Sequence, residues 1–420
     1  MLTRSIKIKK KGGDGSFNGF LKDIPRSTVS VCVAGMKGML FIFRFFCMAL
    51  PPSFYPFSIF LFVFSFFSCS LVDMQRCRAF FFTYTGSPAR FRGLGNEISA
   101  SFVLTRTVDG GPMKIHCIPG YISALYLVEY PEQGKLLLLD SGFPSDLERV
   151  RFYVEEVMAA GKFTKQRLSE KLRLVVSTHS HIDHAGASKG YERCGIPVAC
   201  PSGMEKCYSG VEGRISQIFE AYFSQLVAAR LGRKVRESSF LFSKGLLGPY
   251  WQMPVGALRL DDGTPLPLGF HDWVAINCPG HTSHMVGLYH PFSRIFYVSD
   301  MFVAIRKGFF PPLPIEVDWA YNRTLHRLRG LPTRCALLPH GGIIDVEDRC
   351  GSWNALIDEI VLHYELKAKC NSRFEWARSI IAARSHLLQG EHFSPDVFPR
   401  GPLPVPPKGH EPPHLHIMDS

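Results

Sequence analysis

The spacing of apolar and polar residues changes near residue 114, after which strands and helices of ordinary length are predicted. Apolar runs at residues 122–130 and 136–139 flank the turn-forming segment 131–134, a pattern typical of an antiparallel hairpin. The second run ends at Asp140, which is followed by the small residues Ser and Gly.

A helix is predicted directly after this hairpin. It begins at a capping box formed by Ser145 and Glu148, and Gly161 ends it. Its apolar side chains recur at helical spacing and so share one face, which is predicted to be buried. These side chains are Leu147, Val150, Val154, Val157 and Met158.

Four further apolar runs are short enough to be buried strands, and a polar loop follows each of them. They are residues 172–176, 273–276, 295–298 and 335–338. The polar residues of chemical interest in this part of the chain therefore lie just past the ends of predicted strands.

A helical insertion is predicted at about residues 200–255. An apolar stripe predicts a helix that ends at Gly232, and the apolar loop at residues 240–253 contains Tyr250 and Trp251. The stripe consists of Ile215, Ile218, Phe219, Tyr222 and Leu226. Core packing is the favoured interpretation of these features; contact with a ligand is the alternative, and it makes Tyr250 and Trp251 candidate substrate contacts.

The C-terminal part of the chain is predicted to lie outside the main domain. Residues 346–394 are expected to form helices that pack on the domain. Residues 395–420 form a Pro-rich tail, which is expected to be extended or disordered.

The composition of the 420 residues, 46% hydrophobic and 20% charged, is that of a globular protein and excludes a collagen or a coiled coil. The length fits one domain of about 250 residues with extensions. The 12 Cys include no Cys-x-x-Cys pair, so neither a zinc knuckle nor a disulfide scaffold is indicated, and a reducing compartment is expected.

The net charge of +12 is concentrated in an N-terminal arm at residues 1–112, which holds 14 Lys and Arg against 5 Asp and Glu. Residues 113–420 hold 34 against 31 and are nearly neutral. The high isoelectric point therefore says little about nucleic acid, because the excess charge lies outside the main domain. The near-neutral charge of the main domain argues against nucleic acid as its partner.

The arm is also rich in Phe, and its residues 39–72 are a candidate membrane segment. The uncharged part, residues 57–72, is shorter than the roughly 20 residues that cross a bilayer, so the anchor would be marginal. Two alternatives are an Arg-rich transit segment beginning at Met74 and a gene-model extension over residues 1–73. The protein is accordingly expected to be membrane-anchored, or else mitochondrial or cytosolic.

The main candidate chemistry follows the predicted strand at residues 172–176. In an extended segment alternate residues face the same way, so His179 and His181 can bind one ion together. Asp183 and His184 turn toward a neighbouring site as a helix begins. Imidazole and carboxylate are ligands of zinc-type ions, and this spacing of four such residues is a strong signal of a metal site.

Further candidate ligands follow three of the other predicted strands. His281 comes 97 residues after His184, Asp300 a further 19 residues on, and His340 a further 40. The whole pattern resembles the metallo-β-lactamase fold superfamily, in particular its two-metal hydrolases of glyoxalase II and lactonase type. The resemblance covers residues 113–345 and leaves the arm and the tail outside.

This resemblance implies the fold and the cofactors. The expected fold class is α/β (α+β), a four-layer αβ/βα sandwich in which two mixed β-sheets face each other and helices flank them. The expected cofactors are two divalent metal ions, zinc in the first place, with iron or manganese as alternatives.

The resemblance also implies a ligand set for each ion. The sets are His179, His181 and His281 for the first ion and Asp183, His184 and His340 for the second. Asp300 would bridge both ions, and Asp140 would support the ligand loop by hydrogen bonds from behind. After the third histidine many relatives have the sequence Thr-Pro-Gly-His, whereas this chain has Thr282, Ser283 and His284, which is one residue shorter. His284 is a candidate substrate contact, although packing against neighbouring residues is the favoured interpretation.

The implied activity is hydrolysis of an ester-like bond in a small molecule, a thioester or a lactone in the first place. A hydroxide bridging the two ions would attack the carbonyl, and Asp183 would orient it and pass on its proton. A glutathione carboxylate would need a basic pocket, for which the candidates are Arg230, Arg233, Lys234 and Arg236, although a solvated helix end is the favoured interpretation.

Two other activities remain open, the first of them a nuclease of the same superfamily. A nuclease would need a basic track, against which the near-neutral main domain argues. A single-iron dioxygenase acting on persulfides would need only a facial set of two His and one carboxylate, and His184 and His340 would then be surplus. The sequence indicates no oligomeric state.

Overall fold

A computed structural model of the chain describes most residues after position 105. The described residues are 106–109, 112–159, 167–233, 251–305, 308–370, 402–404, 406, 412–413 and 415–419. The candidate membrane segment at residues 39–72 lies outside them. Within the described residues, no helix combines the length and the apolar character that crossing a bilayer requires.

Short strands and helices make up the described part of the chain. The strands are β1 (Arg106–Asp109), β2 (Lys114–Pro119), β3 (Ala124–Tyr130), β4 (Lys135–Leu139), β5 (Leu172–Val176), β6 (Val198–Pro201), β7 (Leu258–Leu260), β8 (Val274–Asn277), β9 (Val286–His290), β10 (Ile295–Tyr297), β11 (Val303–Ile305), β12 (Gly308–Phe310), β13 (Cys335–Leu338), β14 (Gly342–Asp345) and β15 (His416–Asp419). The helices are α1 (Asp146–Phe152), α2 (Leu168–Lys171), α3 (Ile182–Ala185), α4 (Ser188–Arg193), α5 (Gly210–Arg230), α6 (Asp318–Leu328), α7 (Val346–Cys350) and α8 (Trp353–Cys370).

The strands form two large mixed sheets and one small hairpin. The first sheet has the order β15-β1-β2-β3-β4-β5-β6-β7, and the second has the order β14-β13-β10-β9-β8. Pairing is parallel from β4 through β7 and between β10 and β13, and antiparallel elsewhere. The predicted hairpin is β3 and β4, whose Tyr130 pairs with Lys135.

The alternation of side chains along the strands creates three apolar layers. In β3, Tyr126 and Val128 enter the core between the two sheets, while Leu125 and Leu127 face the layer that contains α1 and α4. The outer face of the second sheet packs on α6 and α8. The order helix, sheet, sheet, helix is the predicted four-layer αβ/βα sandwich, and the predicted fold class is confirmed.

The two sheets are joined at the edge where β4, β5, β8, β10 and β13 end. The backbone N–H of Ala124 donates to the carbonyl of Pro339 at 2.8 Å, and the backbone N–H of Val286 donates to the carbonyl of Thr178 at 3.1 Å. The hydroxyl of Tyr126 donates to the carbonyl of Leu338 at 2.8 Å. Loops that leave these five strands therefore converge from both sheets at one edge.

Two details of the predicted first helix are wrong. The side chain of Ser145 makes no capping bond and instead accepts from Arg149. The buried carboxylate of Asp146 is a stronger acceptor than a hydroxyl. It accepts hydrogen bonds from the backbone N–H of Phe143 at 2.8 Å and from that of Tyr121 at 2.9 Å.

The second error concerns the buried face of this helix. A π-helical segment over Tyr153–Val157 follows α1 and shifts the phase of the side chains. As a result Tyr153 is 4% exposed and Val157, which was predicted to be buried, is 43% exposed.

The insertion contains α5, which is the predicted helix; of the predicted apolar stripe, Ile218 packs on an apolar cluster but Ile215 does not. Ile215 is 42% exposed, whereas Ser216, Gln217 and Glu220 are buried. The side chains of Phe219, Tyr222 and Leu226 lie outside the described residues. Residues 371–401 also lie outside them, and the tail ends in β15, which pairs with β1.

Candidate metal centre

The seven predicted ligand residues all lie at the edge where the two sheets meet. The loop after β5 carries His179 and His181, and its first helical turn, α3, carries Asp183 and His184. The other three follow strands of the second sheet, His281 after β8, Asp300 in a 3-10 turn after β10, and His340 after β13. The structure brings all seven together in two adjoining groups.

The first group consists of three imidazoles and one carboxylate oxygen. Nδ1 of His181 lies 3.1 Å from Nε2 of His179 and 2.9 Å from Nε2 of His281. Oδ2 of Asp300 lies 3.4 Å from Nε2 of His281 and 3.9 Å from Nε2 of His179. Ligand atoms at 2.0–2.1 Å from one tetrahedral ion are about 3.3–3.4 Å apart, so this group has the spacing of a zinc-type site.

The second group lies on the other side of Asp300. Oδ2 of Asp183 lies 3.2 Å from Nε2 of His340 and 3.5 Å from Nε2 of His184. Oδ1 of Asp300 lies 3.3 Å from Nε2 of His184 and 3.6 Å from Nε2 of His340. These distances also match the edges of a tetrahedron around one ion.

Two buried atoms of the second group have no hydrogen-bond partner, Nε2 of His184 and Oδ1 of Asp300. A buried polar atom without a partner costs free energy, and native proteins satisfy nearly all such atoms. The two atoms lie 3.3 Å apart among the candidate ligand atoms of the second group, so the residues present fit the second of two metal ions.

Asp140 orients the second group from behind. Its Oδ2 accepts a hydrogen bond from Nδ1 of His184 at 2.6 Å and another from the hydroxyl of Tyr297. Thr178 donates to the same carboxylate through its backbone N–H at 2.7 Å and its hydroxyl at 3.0 Å. Since Nδ1 of His184 carries this proton, Nε2 is the atom left to bind a cation.

The imidazoles of the first group are oriented in the same way. Nδ1 of His281 donates to the backbone carbonyl of Pro314 at 2.6 Å, which leaves its Nε2 free to bind an ion. Nδ1 of His179 lies 3.3 Å from the hydroxyls of both Thr178 and Ser299. Those two hydroxyls are 2.7 Å apart and link the β5 loop to the Asp300 turn.

The electrostatic field of the site favours ionised carboxylates and a neutral His179. Burial raises the pKa of Asp183, but His184 and His340 outweigh this effect and hold the pKa at about 2. Burial likewise raises the pKa of Asp300, and the same two imidazoles hold it well below its usual range. Burial lowers the pKa of His179. Ionised carboxylates and neutral imidazoles are the forms that bind metals.

The second group attracts positive charge. Burial lowers the pKa of His184, but Asp300, Asp183 and Asp140 outweigh it and raise that pKa. Burial also lowers the pKa of His340, and Asp300 and Asp183 again raise it. Three carboxylates around one buried imidazole require a compensating cation, which can be a proton or a metal ion.

The predicted substrate contacts lie in different surroundings. His284 is half-buried and its ring packs on the backbone of Gly203. Trp251 is 5% exposed and packs in an apolar cluster with Phe143 and Ile182, so packing describes its surroundings better than ligand contact does. Tyr250 lies outside the described residues.

The predicted basic pocket is not defined by the described residues. Arg233 is half-buried, whereas Lys234 and Arg236 lie outside the described residues, as does the side chain of Arg230.

Sequence reasoning missed several residues at the site, among them Tyr297, whose hydroxyl donates to Asp140. Thr178 and Ser299 each precede a predicted ligand, and this adjacency was the available signal. Tyr208 and Glu220 come from the insertion and contact the ligand loop, and no local pattern in the sequence marks them.

A model of the metallo-beta-lactamase superfamily matches residues 118–340, a range that contains Asp140 and all seven candidate ligands. Among solved structures, an archaeal superfamily protein from Sulfolobus tokodaii is 16% identical, with 65% of this chain and 95% of that chain covered and a TM-score of 0.38. A metallo-beta-lactamase family protein from Thermus thermophilus is 20% identical, with 66% and 81% covered and a TM-score of 0.38. A metallo-beta-lactamase from Pseudomonas aeruginosa, in its mono-zinc form, is 13% identical, with 64% and 97% covered and a TM-score of 0.40.

Proposed function

Because the chain belongs to the metallo-beta-lactamase superfamily, we propose that it is a hydrolase that cleaves an ester-like bond with the help of two divalent metal ions. The favoured substrates are small molecules that carry a thioester or a lactone. The favoured ion is zinc, because five of the seven candidate ligands are imidazoles and the others are carboxylates.

The position of Asp300 carries this proposal. Its two carboxylate oxygens face different ligand groups, since Oδ2 lies beside His281 and Oδ1 beside His184. One carboxylate with such neighbours on both sides suits a pair of ions better than a single one. A single-iron dioxygenase would leave His184 and His340 without a role.

When bound, the two ions would lower the pKa of a water molecule and polarise the carbonyl that it attacks. Asp183 would orient that water and pass on its proton; its carboxylate is ionised, since its pKa is held at about 2, and its side chain remains 14% exposed. Asp140 and the carbonyl of Pro314 would keep His184 and His281 in position. The rigid support means that little reorganisation is needed during the reaction.

The charge of residues 113–420 supports a small ester over a polyanion. This part of the chain has 34 basic and 31 acidic residues, which supplies no extended positive surface for nucleic acid. A thioester or lactone needs only polarisation of one carbonyl and stabilisation of one leaving thiolate or alkoxide, which a pair of ions supplies.

The test combines metal analysis with a substrate panel on the purified full-length chain. We expect two ions per chain after loading with zinc, and turnover of a glutathione thioester or a lactone in preference to a β-lactam and an RNA or DNA phosphodiester. Iron and manganese loading in parallel would identify the most active metal.

Three outcomes would overturn the proposal. One iron per chain with oxygen consumption on a persulfide would indicate a dioxygenase. Salt-sensitive cleavage of the phosphodiester alone would indicate a nuclease. Absence of metal uptake at micromolar zinc would refute the metal centre itself.

A further inference from the structure

The insertion helix α5 places a carboxylate behind the ligand loop. Glu220 is only 8% exposed although it is not one of the seven candidate ligands. Burying a carboxylate is unfavourable unless hydrogen bonds or charges compensate for the lost hydration. The partners of Glu220 therefore indicate what it does.

Two of these partners are the backbone of Ile182 in the ligand loop and the side chain of Tyr208. Oε1 of Glu220 accepts a hydrogen bond from the backbone N–H of Ile182 at 2.6 Å. The hydroxyl of Tyr208 donates to Oε2 and lies 3.1 Å from the backbone carbonyl of Ser180. Contacts at residues 180 and 182 thus hold the backbone on both sides of His181.

The start of α3 explains why the loop needs an acceptor from elsewhere. His181 occupies the N-cap position of α3 but makes no side-chain capping bond, because its Nδ1 is turned into the first ligand group. The backbone N–H groups of His184 and Ala185 both donate hydrogen bonds to the carbonyl of His181. Glu220 supplies the acceptor for Ile182, the task that a Ser or Asp side chain at the N-cap performs in other helices.

Beside the apolar Ala221 and Ala228, the described part of the buried face of α5 carries further polar residues. The side-chain amide of Gln217 donates to the carbonyl of Trp251 at 2.7 Å, and Ser224 is 6% exposed. Phe223 on the same helix is 50% exposed. A helix that only filled the core would bury Phe223 and expose the polar residues, whereas α5 presents hydrogen-bonding groups inward.

We propose that Glu220, assisted by Tyr208, is a positioning residue through which the insertion helix sets the affinity of the centre for its metal ions. The loop that it holds carries ligands for both groups, His181 for the first and Asp183 for the second. A carboxylate fixed behind the loop keeps these ligands in place before an ion arrives, and this lowers the cost of binding. The inference rests on the proposed function only in that metal ions occupy the two groups.

The experiment measures metal affinity in the full chain and does not depend on catalysis. Metal-free protein is titrated with Co²⁺, and the visible absorption reports both affinity and coordination geometry. Glu220→Ala should weaken Co²⁺ binding about 10- to 100-fold and change the spectrum. Glu220→Gln should bind Co²⁺ with an affinity between those of Glu220→Ala and the parent, because its remaining side-chain oxygen can still accept a hydrogen bond from Ile182. Tyr208→Phe should weaken Co²⁺ binding a few-fold.

Two control variants separate positioning from general effects. Glu205→Gln removes a carboxylate of the same insertion that pairs with Arg259 on the surface, 2.7 Å away, and should leave Co²⁺ binding unchanged. Ser224→Ala alters the buried face of α5 and should change thermal stability without changing Co²⁺ affinity.

Parent-like Co²⁺ affinity and spectrum in folded Glu220→Ala would overturn the proposal. If that variant does not fold, parent-like affinity in both Glu220→Gln and Tyr208→Phe would overturn it equally. A parent chain that binds no Co²⁺ would refute the metal centre itself. That result differs from Co²⁺ binding that is unaffected by substitution of Glu220, which would refute only the role of Glu220.

Discussion

Asp140 shows how one side chain can orient a whole ligand group. Its carboxylate accepts from Thr178, His184 and Tyr297, and its own backbone has a positive φ of 63°. That conformation is unfavourable for a non-glycine residue, although Asp tolerates it better than most. This backbone conformation places the carboxylate within hydrogen-bonding distance of residues that follow β5 and of Tyr297 in β10.

We predict that Asp140→Asn weakens both folding and metal binding. The amide NH₂ would face groups that donate hydrogen bonds, so the free energy of unfolding should fall by about 2–4 kcal/mol and metal affinity about 10- to 100-fold. Denaturant unfolding of the metal-free protein and competition with a zinc chelator measure the two effects. Tyr297→Phe removes only one of the donors and should cost about 1 kcal/mol; an Asn variant with the parent's zinc affinity would contradict the role of Asp140.

Asp183 differs from Asp140 because its side chain remains 14% exposed. We predict that Asp183→Asn lowers kcat about 10²- to 10⁴-fold, since an amide cannot accept the proton of the attacking water. Steady-state kinetics, circular dichroism and metal content would be measured together. Asp348→Asn changes an exposed carboxylate outside the ligand set and should retain parent activity; normal turnover in Asp183→Asn would remove Asp183 from the mechanism.

At the scale of elements, α6 and the loop before it hold two ligands of the second sheet. The carbonyl of Gly280 accepts from the backbone N–H of Val317, and the carbonyl of Pro279 accepts from the hydroxyl of Thr324. These two carbonyls belong to the two residues before His281. The hydroxyl of Tyr321 donates to the carbonyl of Met301, next to the Asp300 turn, at 2.6 Å. One helix therefore sets the distance between His281 and Asp300.

We predict that Gly280→Ala disturbs this arrangement. A Cβ on Gly280 would lie 2.5 Å from Cα of Tyr321, and the φ of +148° is also unfavourable for alanine. Overpacking and backbone strain together should lower the free energy of unfolding by about 2–4 kcal/mol and weaken zinc binding. Gly263→Ala is the matched control, because its φ is +75° but nothing lies within 4 Å; equal losses in both variants would show that the contact with α6 is unimportant.

At the scale of the whole domain, the metal ions would connect the two sheets. The loop after β5 in the first sheet carries four candidate ligands, and loops after three strands of the second sheet carry His281, Asp300 and His340. Each bound ion would therefore hold both sheets at the edge where they meet. Folding and metal binding should be coupled, since the unfolded chain has no preformed site.

We predict that chelation lowers the thermal unfolding temperature as well as abolishing activity. An ion present at 100 times its Kd stabilises the folded state by about 2.7 kcal/mol, which corresponds to roughly 5–10 °C for a domain of this size. Differential scanning fluorimetry with zinc and with a chelator measures the shift, and added zinc should restore it. Asp300→Asn should show a smaller shift; identical unfolding temperatures of the parent with and without metal would contradict an ion between the sheets.

The sequence alone determined the types of the candidate ligands, their order and the strands that carry them. Residues 172–176 and 335–338 are strands with the predicted bounds, and His179, Asp300 and His340 follow strand ends as predicted. Local signals suffice here because the periodicity of apolar residues reports burial, and the chemistry of imidazole and carboxylate limits what they can bind. The same signals were wrong at Ser145, where a neighbouring carboxylate is the better acceptor.

Only the tertiary structure decided which distant polar groups meet the ligands. Glu220 lies 38 positions from Ile182 in the sequence, and the hydroxyl of Tyr297 reaches Asp140 across 157 positions. Such pairs leave no periodic trace, because a buried polar side chain is tolerated wherever the folded chain happens to provide its partner. The local sequence specifies which chemical interactions each residue can make, whereas the path of the chain through two packed sheets specifies which residues become its partners.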